Sequence, residues 1–189
     1  PGDNPEPLVE KFTQYAPVTQ SKVLIAPYVA NNFYYMQYFN LREEFDKAYS
    51  PGIRMFNNYF GSGMNSIVFQ EMREARGLAY SATARLSEPS HLGQDYSFYA
   101  YIASQNDKIQ QAVEAFDLII NKMPESEQAF SIAKDGMISQ MRTRRTNGMA
   151  VLNSYIACER LGLDEPQDKM VFDAIQDMSL EDVKEVQQK

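Results

Sequence analysis

Apolar and polar residues follow two different periods along this chain, and each period predicts one type of element. A period of two comes first, and it predicts strands at residues 21–27 and 32–40 with a turn between them. Pro27 favours an edge or an end for the first of these strands. In the second strand, apolar side chains lie on both faces: Tyr34, Met36 and Tyr38 alternate with Phe33, Tyr35 and Phe39. Such a pattern is typical of a strand covered on both sides.

The period of two returns in the middle of the chain. It predicts one strand at residues 78–86 and a second at 95–104, joined by a loop at 88–93. Such a pair is most simply an antiparallel hairpin. One face of the first strand carries Leu78, Tyr80, Ala82, Ala84 and Leu86. The alternation therefore groups Tyr80 with the apolar residues of the strand.

A period near 3.6 predicts helices elsewhere in the chain. A helix at 51–60 is followed by a glycine break and by a short helix that Asn65 or Ser66 caps and Gly77 ends. The later helices are predicted from residue 106 or 107 to 123, from 126 through 141, and at 151–161, 167–175 and 179–187. This order of elements predicts an α+β fold, in which helices pack on one face of a mostly antiparallel sheet.

The length of 189 residues favours a single domain, which we place at residues 21–189. Residues 1–20 contain four prolines and predict a lead-in from a neighbouring segment. Because the chain begins at Pro1 without Met, we expect a piece of a longer protein. The compartment, periplasmic or cytoplasmic, then depends on that parent protein.

Charge and hydropathy exclude several classes of partner. The chain has 25 acidic and 18 basic residues, and its net charge of −7 disfavours nucleic acid and anionic membranes. The basic cluster at residues 142–145 therefore predicts a solvated helix end rather than a nucleic-acid patch. No apolar run approaches the ~18–20 residues of a membrane span.

Three features of the sequence resemble chemical sites, but the residues around each of them argue against such a site. His91 is the only histidine and lies in a loop, so an exposed titrating side chain is expected there rather than a metal ligand. Cys158 shares a helical face with Leu161 and predicts a small packed side chain rather than a nucleophile. The spacing Gly61-x-Gly63-x-x-Ser66 follows a predicted helix instead of a strand, which excludes a dinucleotide fingerprint.

The most specific motif lies between the short helix and the strand that follows it. Residues 69–81 read F-Q-E-M-R-E-A-R-G-L-A-Y-S. This run resembles the F-Q-E-x-R-E-x-R-G-L-A-Y-S motif of the non-catalytic half of the pitrilysin/insulinase-type zinc peptidases, the inverzincins. The resemblance covers about 28 residues around the motif strongly, and the rest of the chain through the order of its elements. It implies the same α+β fold, which normally ends in a further strand after the last helix. We expect either that this chain stops before that strand or that the segment predicted as its last helix is not the last helix of the fold.

The resemblance implies roles for two residues of the motif. Arg73 and Tyr80 match the family's paired arginine and tyrosine, which project into a chamber shared with the zinc-bearing half. There the arginine donates to a peptide carbonyl or terminus, and the tyrosine donates to the carbonyl oxygen as it becomes an oxyanion. A shift in register would put Arg76 in place of Arg73. Without the resemblance, burial statistics make Arg73 a surface arginine and Tyr80 a core residue.

Two interpretations of function follow. In the first, the chain is the substrate-binding, catalytically silent domain of a zinc metallopeptidase that binds peptide. A partner domain with an H-x-x-E-H motif, in the same longer chain or in a separate subunit, supplies the zinc and the general base. In the second, the chain is a structural or assembly domain without a peptidase role. A self-sufficient hydrolase built on Cys158 or on carboxylates ranks below both.

We expect the purified chain to contain no stoichiometric zinc and to hydrolyse no peptide, because one histidine cannot provide the two imidazole ligands of an inverzincin site. Elemental analysis after dialysis against a chelator measures this directly. One zinc ion per chain that survives the dialysis would contradict the silent-domain interpretation.

Overall fold

A computed structural model describes residues 19–189 of the chain. Its sheet has three strands, β1 (Asn32–Glu44), β2 (Ser81–Ser87) and β3 (Asp95–Gln105), in the order β1-β3-β2. Both pairings are antiparallel. The predicted hairpin is confirmed, with a register that runs from Ser81 opposite Ala103 to Ser87 opposite Ser97. β3 is therefore the central strand, and both of its edges are paired.

The strand predicted at residues 21–27 is wrong. These residues have no regular secondary structure, and Val23, Leu24 and Ile25 are 85–91% exposed. Alternating apolar residues indicate that a segment suits a strand, but a strand also needs a hydrogen-bonding neighbour. In the described part of the chain, β1 pairs with β3 alone, so residues 21–27 form no ladder with its outer edge. Of the lead-in predicted at residues 1–20, residues 1–18 lie outside the described part.

Residues 19–189 contain seven α-helices, and each predicted helix is confirmed. Their bounds are Ser50–Phe56 (α1), Ile67–Phe69 (α2), Ile109–Asn121 (α3), Glu127–Thr143 (α4), Gly148–Leu161 (α5), Gln167–Ile175 (α6) and Leu180–Gln188 (α7). Wider π-helical turns continue α1 over Asn57–Gly61 and α2 over Gln70–Ala75. The predicted capping box of Ser179 and Asp182 begins α7. No helix in this range is both long and apolar enough to cross a membrane.

The helices cover one face of the sheet, which we call the inner face. From the central strand Phe98, Ala100 and Ile102 are buried there, and β2 adds Ala82, Ala84 and Leu86. α3 packs against this layer, where Tyr35 of β1 meets the ring of Phe116 edge to face at 6.4 Å. The predicted α+β architecture, with helices on one side of an antiparallel sheet, is thereby confirmed.

The opposite face of β1 is uncovered, so the prediction of a strand buried on both sides is wrong. Tyr34 is 63% exposed and Met36 60% exposed. The apolar character of these residues predicted burial, but every helix that packs on the sheet lies on the inner side. The aromatic residues of β1 therefore form two sets, one on the core side of the sheet and one on its surface side.

The free edge of β2 is closed by the turn that follows α1. The side-chain amide of Asn57 donates to the Leu86 carbonyl and accepts from the Leu86 N–H, both at 2.8 Å, as a neighbouring strand would do. Gly61 lies against the backbone of Ala84, where an added Cβ would come within 1.8 Å of the Ala84 oxygen. This glycine permits a close approach of two backbones.

We expect Gly61→Ala to destabilise the fold by about 3 kcal/mol or more, because the new methyl group would have to displace the backbone of β2. Gly136→Ala is the matched control. Gly136 lies within α4 and an added Cβ meets nothing within 4 Å, so the same substitution should stabilise the protein by ~0.5–1 kcal/mol. Thermal or urea unfolding of both variants measures the difference. Equal melting of the two variants would contradict the close approach at Gly61.

Candidate functional site

The motif at residues 69–81 forms a helix, a turn and the approach to β2. Ser66 caps α2, with its hydroxyl accepting from the Phe69 N–H at 3.4 Å. Of the two predicted caps, Ser66 is therefore the one used. The helix ends at Gly77, whose φ of 58° lies in the left-handed region that glycine adopts without strain.

The carbonyl of Met72 holds the chain as it leaves this helix. It accepts from the backbone N–H groups of both Leu78 and Ala79, at 2.9 and 3.1 Å. The side chain of Met72 is fully buried and that of Ala79 is 7% exposed, so both ends of the turn are anchored in the core. The hydroxyl of Ser104 on β3 also donates to the Leu78 carbonyl. Residues 72–79 therefore form a closed turn rather than the start of a strand.

Tyr80 does not occupy the core position that strand alternation predicts. The alternation groups Tyr80 with Ala82 in the core, whereas β2 begins only at Ser81 and Tyr80 is 46% exposed. The buried neighbour is instead Ala79. The bonds to Met72 hold residues 78 and 79 in the turn, which interrupts the period of two. The Tyr80 N–H donates to the Ala103 carbonyl at 3.1 Å, which keeps its backbone beside β3.

The two arginines of the motif have different contacts. Arg73 is half-exposed, with its guanidinium 5.0 Å from the centre of the Phe69 ring and 3.6 Å from the Glu74 carboxylate. Arg76 forms two hydrogen bonds to the Glu71 carboxylate, at 3.3 and 3.4 Å. Arg73 therefore has the looser set of contacts and keeps most of its donors available.

A group of tyrosines lies on the uncovered side of the sheet. We call this surface the tyrosine face, and it consists of Tyr34, Met36 and Tyr38 on β1, Tyr99 and Tyr101 on β3, and Tyr80. The register brings the strands together, with Met36 opposite Tyr101 and Tyr38 opposite Tyr99. The rings of Tyr34 and Tyr101 stack at 6.1 Å and 18°. Sequence reasoning missed this surface, because the pairing of β1 with β3 links residues about 65 positions apart.

The neighbours of Tyr101 on this face affect its pKa. The pKa of Tyr101 is raised above its ordinary value of 10.0, first by burial and then by the charges that Tyr34, Tyr80 and Tyr99 would carry when ionised. The register of β1 on β3 and the stacked rings of Tyr34 and Tyr101 make the face contiguous, and Tyr80 is among the residues that raise the pKa of Tyr101.

The structure changes the interpretation of His91. The loop prediction is confirmed, but His91 is half-buried instead of exposed. Its Nδ1 lies 3.0 Å from the Ser90 hydroxyl. The Leu92 N–H donates to the Arg160 carbonyl at 3.1 Å, so the loop docks on the end of α5 and partly covers the histidine. Residues 19–189 contain no group of three or more His, Cys, Asp or Glu side chains placed to hold a metal ion.

Cys158 and the basic cluster have local contacts. Cys158 is half-buried on α5 and its thiol is free. Arg142 lies over the Phe172 ring at 5.8 Å, and Arg144 pairs with Asp168 at 2.6 Å. Burial alone would raise the pKa of Asp168, but hydrogen bonds and charge from Arg54 and Arg144 hold it below its usual value. The basic cluster therefore fastens α4 to α6 rather than forming a free cationic patch.

The chain is similar to known proteins in both sequence and structure. The family model described as peptidase M16 inactive domain matches residues 1–137. A peptidase M16 inactive domain from Pseudomonas fluorescens has a similar structure, with a TM-score of 0.66 and 14% identity over 84% of this chain and 38% of that chain. No curated protein matches the sequence significantly.

Two further structures are similar. A protease from Helicobacter pylori gives a TM-score of 0.66 at 12% identity, over 90% of this chain and 45% of that chain. The periplasmic protease PqqL from Escherichia coli gives 0.58 at 16% identity, over 83% of this chain and 17% of that chain. At these identities the likeness shows the fold alone. The chain spans less than half the length of each of the three structures.

We expect Tyr34→Phe to lower the pKa of Tyr101, because the ring that buries Tyr101 remains while the ionisable hydroxyl is lost. NMR titration of the protein labelled with ¹³C at tyrosine Cζ measures the midpoint. Tyr155→Phe is the control, since Tyr155 lies on α5 and bonds to Glu159 at 2.6 Å. Equal midpoints for Tyr101 in wild type and Tyr34→Phe would contradict the cluster.

Proposed function

Since the chain belongs to the family of peptidase M16 inactive domains, we propose that it is the catalytically silent, substrate-binding domain of a zinc metallopeptidase. The observation that carries the proposal is the exposure of Tyr80 within a turn whose neighbouring residues are buried. Tyr80 is 46% exposed, while Met72 and Ala79 on the same turn are buried. The turn therefore leaves the phenol of Tyr80 available to donate a hydrogen bond to a ligand.

The chemistry of the two exposed side chains suits a bound peptide. The phenol of Tyr80 donates a hydrogen bond to the substrate carbonyl oxygen as negative charge develops on it. The guanidinium of Arg73 donates to a second peptide carbonyl or to a terminal carboxylate and thereby fixes the position of the substrate. Neither role requires a nucleophile or a base from this chain.

Arg73 is a better candidate for this role than Arg76. The donors of Arg76 are directed to Glu71 through two hydrogen bonds, so a peptide would have to compete with an existing partner. The ion pair of Arg73 with Glu74 is longer, at 3.6 Å, and both side chains are about half exposed. Such an exposed pair contributes little to stability and is readily exchanged for a ligand.

The zinc and the general base belong to a partner domain in this proposal. Zinc bound there would supply the activated water for peptide hydrolysis. The donors of residues 19–189 do not fit such a site, because His91 is engaged with Ser90 and has no cluster of further ligands around it in this range. The partner carries an H-x-x-E-H motif, in the same longer chain or in a separate subunit. Two of the structures similar to this chain are proteases, which supports a proteolytic context.

The test is the substitution of Tyr80 and Arg73 in the assembled enzyme. Tyr80→Phe removes one hydroxyl and keeps the ring, so we expect normal melting and a loss of ~10²–10³ in kcat. Arg73→Lys keeps the charge and loses the planar fork, so peptide positioning should weaken while stability is retained. Arg76→Lys is the matched control and should leave turnover unchanged.

Thermal melting of each variant is measured beside its turnover. If Tyr80→Phe and Arg73→Lys both turn over peptide at the wild-type rate and melt normally, the chain is a structural domain. If both variants melt many degrees lower, the two residues support the fold instead of the substrate.

A further inference from the structure

The tyrosine face differs in charge from the rest of the molecule. Acidic residues outnumber basic residues 25 to 18 in the whole chain. The regular ladder of β1 and β3 runs from Asn32 opposite Gln105 to Asn40 opposite Ser97. Within this part of the sheet, the register places a single charged residue on the uncovered side, Arg85 opposite Tyr99. The other members of β2 on this side are Ser81, Thr83 and Ser87. The surface is therefore aromatic and hydroxyl-bearing, and it contains no carboxylate.

The face is continuous with Tyr80 and long enough to hold several residues of an extended chain. Tyr80 lies beside β3, and β1 lies on the far side of β3, so two strand spacings of about 4.8 Å separate Tyr80 from β1. A peptide at about 3.3 Å per residue crosses this width in roughly three residues. Along β1, four residue steps from Tyr34 to Tyr38 add about 13 Å.

We propose that the tyrosine face binds the flanking residues of the substrate peptide, in extended form, with a preference for apolar and aromatic side chains and against net positive charge. This inference rests on the proposed function and assigns to the same site the substrate class that it accepts. Tyrosine rings offer large, rigid contact areas with a polar tip, and little rotamer entropy is lost when they bind. Arg85 is the charged side chain that the register places on this face, so acidic or neutral peptides suit it.

Contacts between the rings help to hold this face in place. The stacked rings of Tyr34 and Tyr101 fix the middle of the face. Tyr34, Met36 and Tyr38 are 43–63% exposed, so their outer surfaces remain available. A preformed surface reduces the entropy that a peptide loses on binding.

Site-specific photo-cross-linking tests the proposal on the natural full-length protein assembled with its catalytic domain. The photoreactive residue p-benzoylphenylalanine replaces Tyr34, and in a second variant Met36, because both positions are exposed and accept a large ring. Tyr155 on α5 is the matched control position. It is an equally exposed tyrosine, 59% against 63%, beside the exposed apolar residues Val151 and Leu152. A metal chelator keeps the peptides intact.

The probes are two mixtures of randomised twelve-residue peptides. One is built from Phe, Leu, Ser, Gly and Glu, and in the other Lys replaces Glu. We expect the acidic mixture to label positions 34 and 36 several-fold more than position 155, and more than the lysine mixture does. Tyr38→Thr should reduce labelling at position 34, whereas Tyr155→Thr should leave it unchanged.

Three results would overturn the inference. They are equal labelling at positions 34 and 155, equal labelling by the two peptide mixtures, and adducts at position 34 that contain the partner domain instead of peptide. These failures are separable from failure of the proposed function. If labelling is not selective but Tyr80→Phe still lowers turnover, the extended binding surface is disproved and the proposed function stands. If labelling is selective but Tyr80→Phe and Arg73→Lys turn over peptide normally, the face binds peptide and the role of Tyr80 and Arg73 in catalysis is disproved.

Discussion

The carbonyl of Met72 is the constraint on which the rest of the site depends. It accepts two consecutive backbone N–H groups, from Leu78 and Ala79, and so joins the end of a helix to the start of a strand within one turn. Met72 and Ala79 are buried, which places Tyr80, the next residue, on the outside. A buried backbone acceptor that is already satisfied twice resists rearrangement, because any movement would leave polar groups unpaired in the core. The exposure of Tyr80 is therefore a consequence of the fold itself.

The sheet is covered on one face only, and this asymmetry divides the aromatic residues into two sets. Tyr35 and Phe98 contribute to packing on the inner face, where the helices exclude water. Tyr34 and Tyr101 lie on the outer face, where their rings stack on each other. The same strands therefore build the core and display a surface. Under the proposed function, this surface binds substrate and needs no catalytic group of its own.

Local patterns were sufficient to predict most of the fold. The glycine break at Gly77 predicts the end of the short helix, and burial statistics place Arg73 on its surface, because both depend on residue type and local sequence. The hairpin of β2 and β3 was equally local. The strand at residues 21–27 was predicted wrongly because a strand depends on a partner, and strand periodicity does not reveal whether one is present. Alternation alone groups Tyr80 with the core residues of the strand, because it extends through a turn whose bonds to Met72 are not visible in the sequence, whereas the resemblance implies an exposed Tyr80. The tyrosine face required the register of β1 on β3, which joins distant residues such as Met36 and Tyr101.

The central claim is that this chain contacts the substrate while another domain performs the chemistry. A structure of the natural full-length protein, with its catalytic domain inactivated and a peptide bound, tests it most directly. We predict that the Tyr80 hydroxyl lies within about 3.2 Å of a peptide carbonyl oxygen and that the Arg73 guanidinium donates to the same peptide. A peptide held entirely by the catalytic domain, with Tyr80 and Arg73 in contact with solvent alone, would contradict the account.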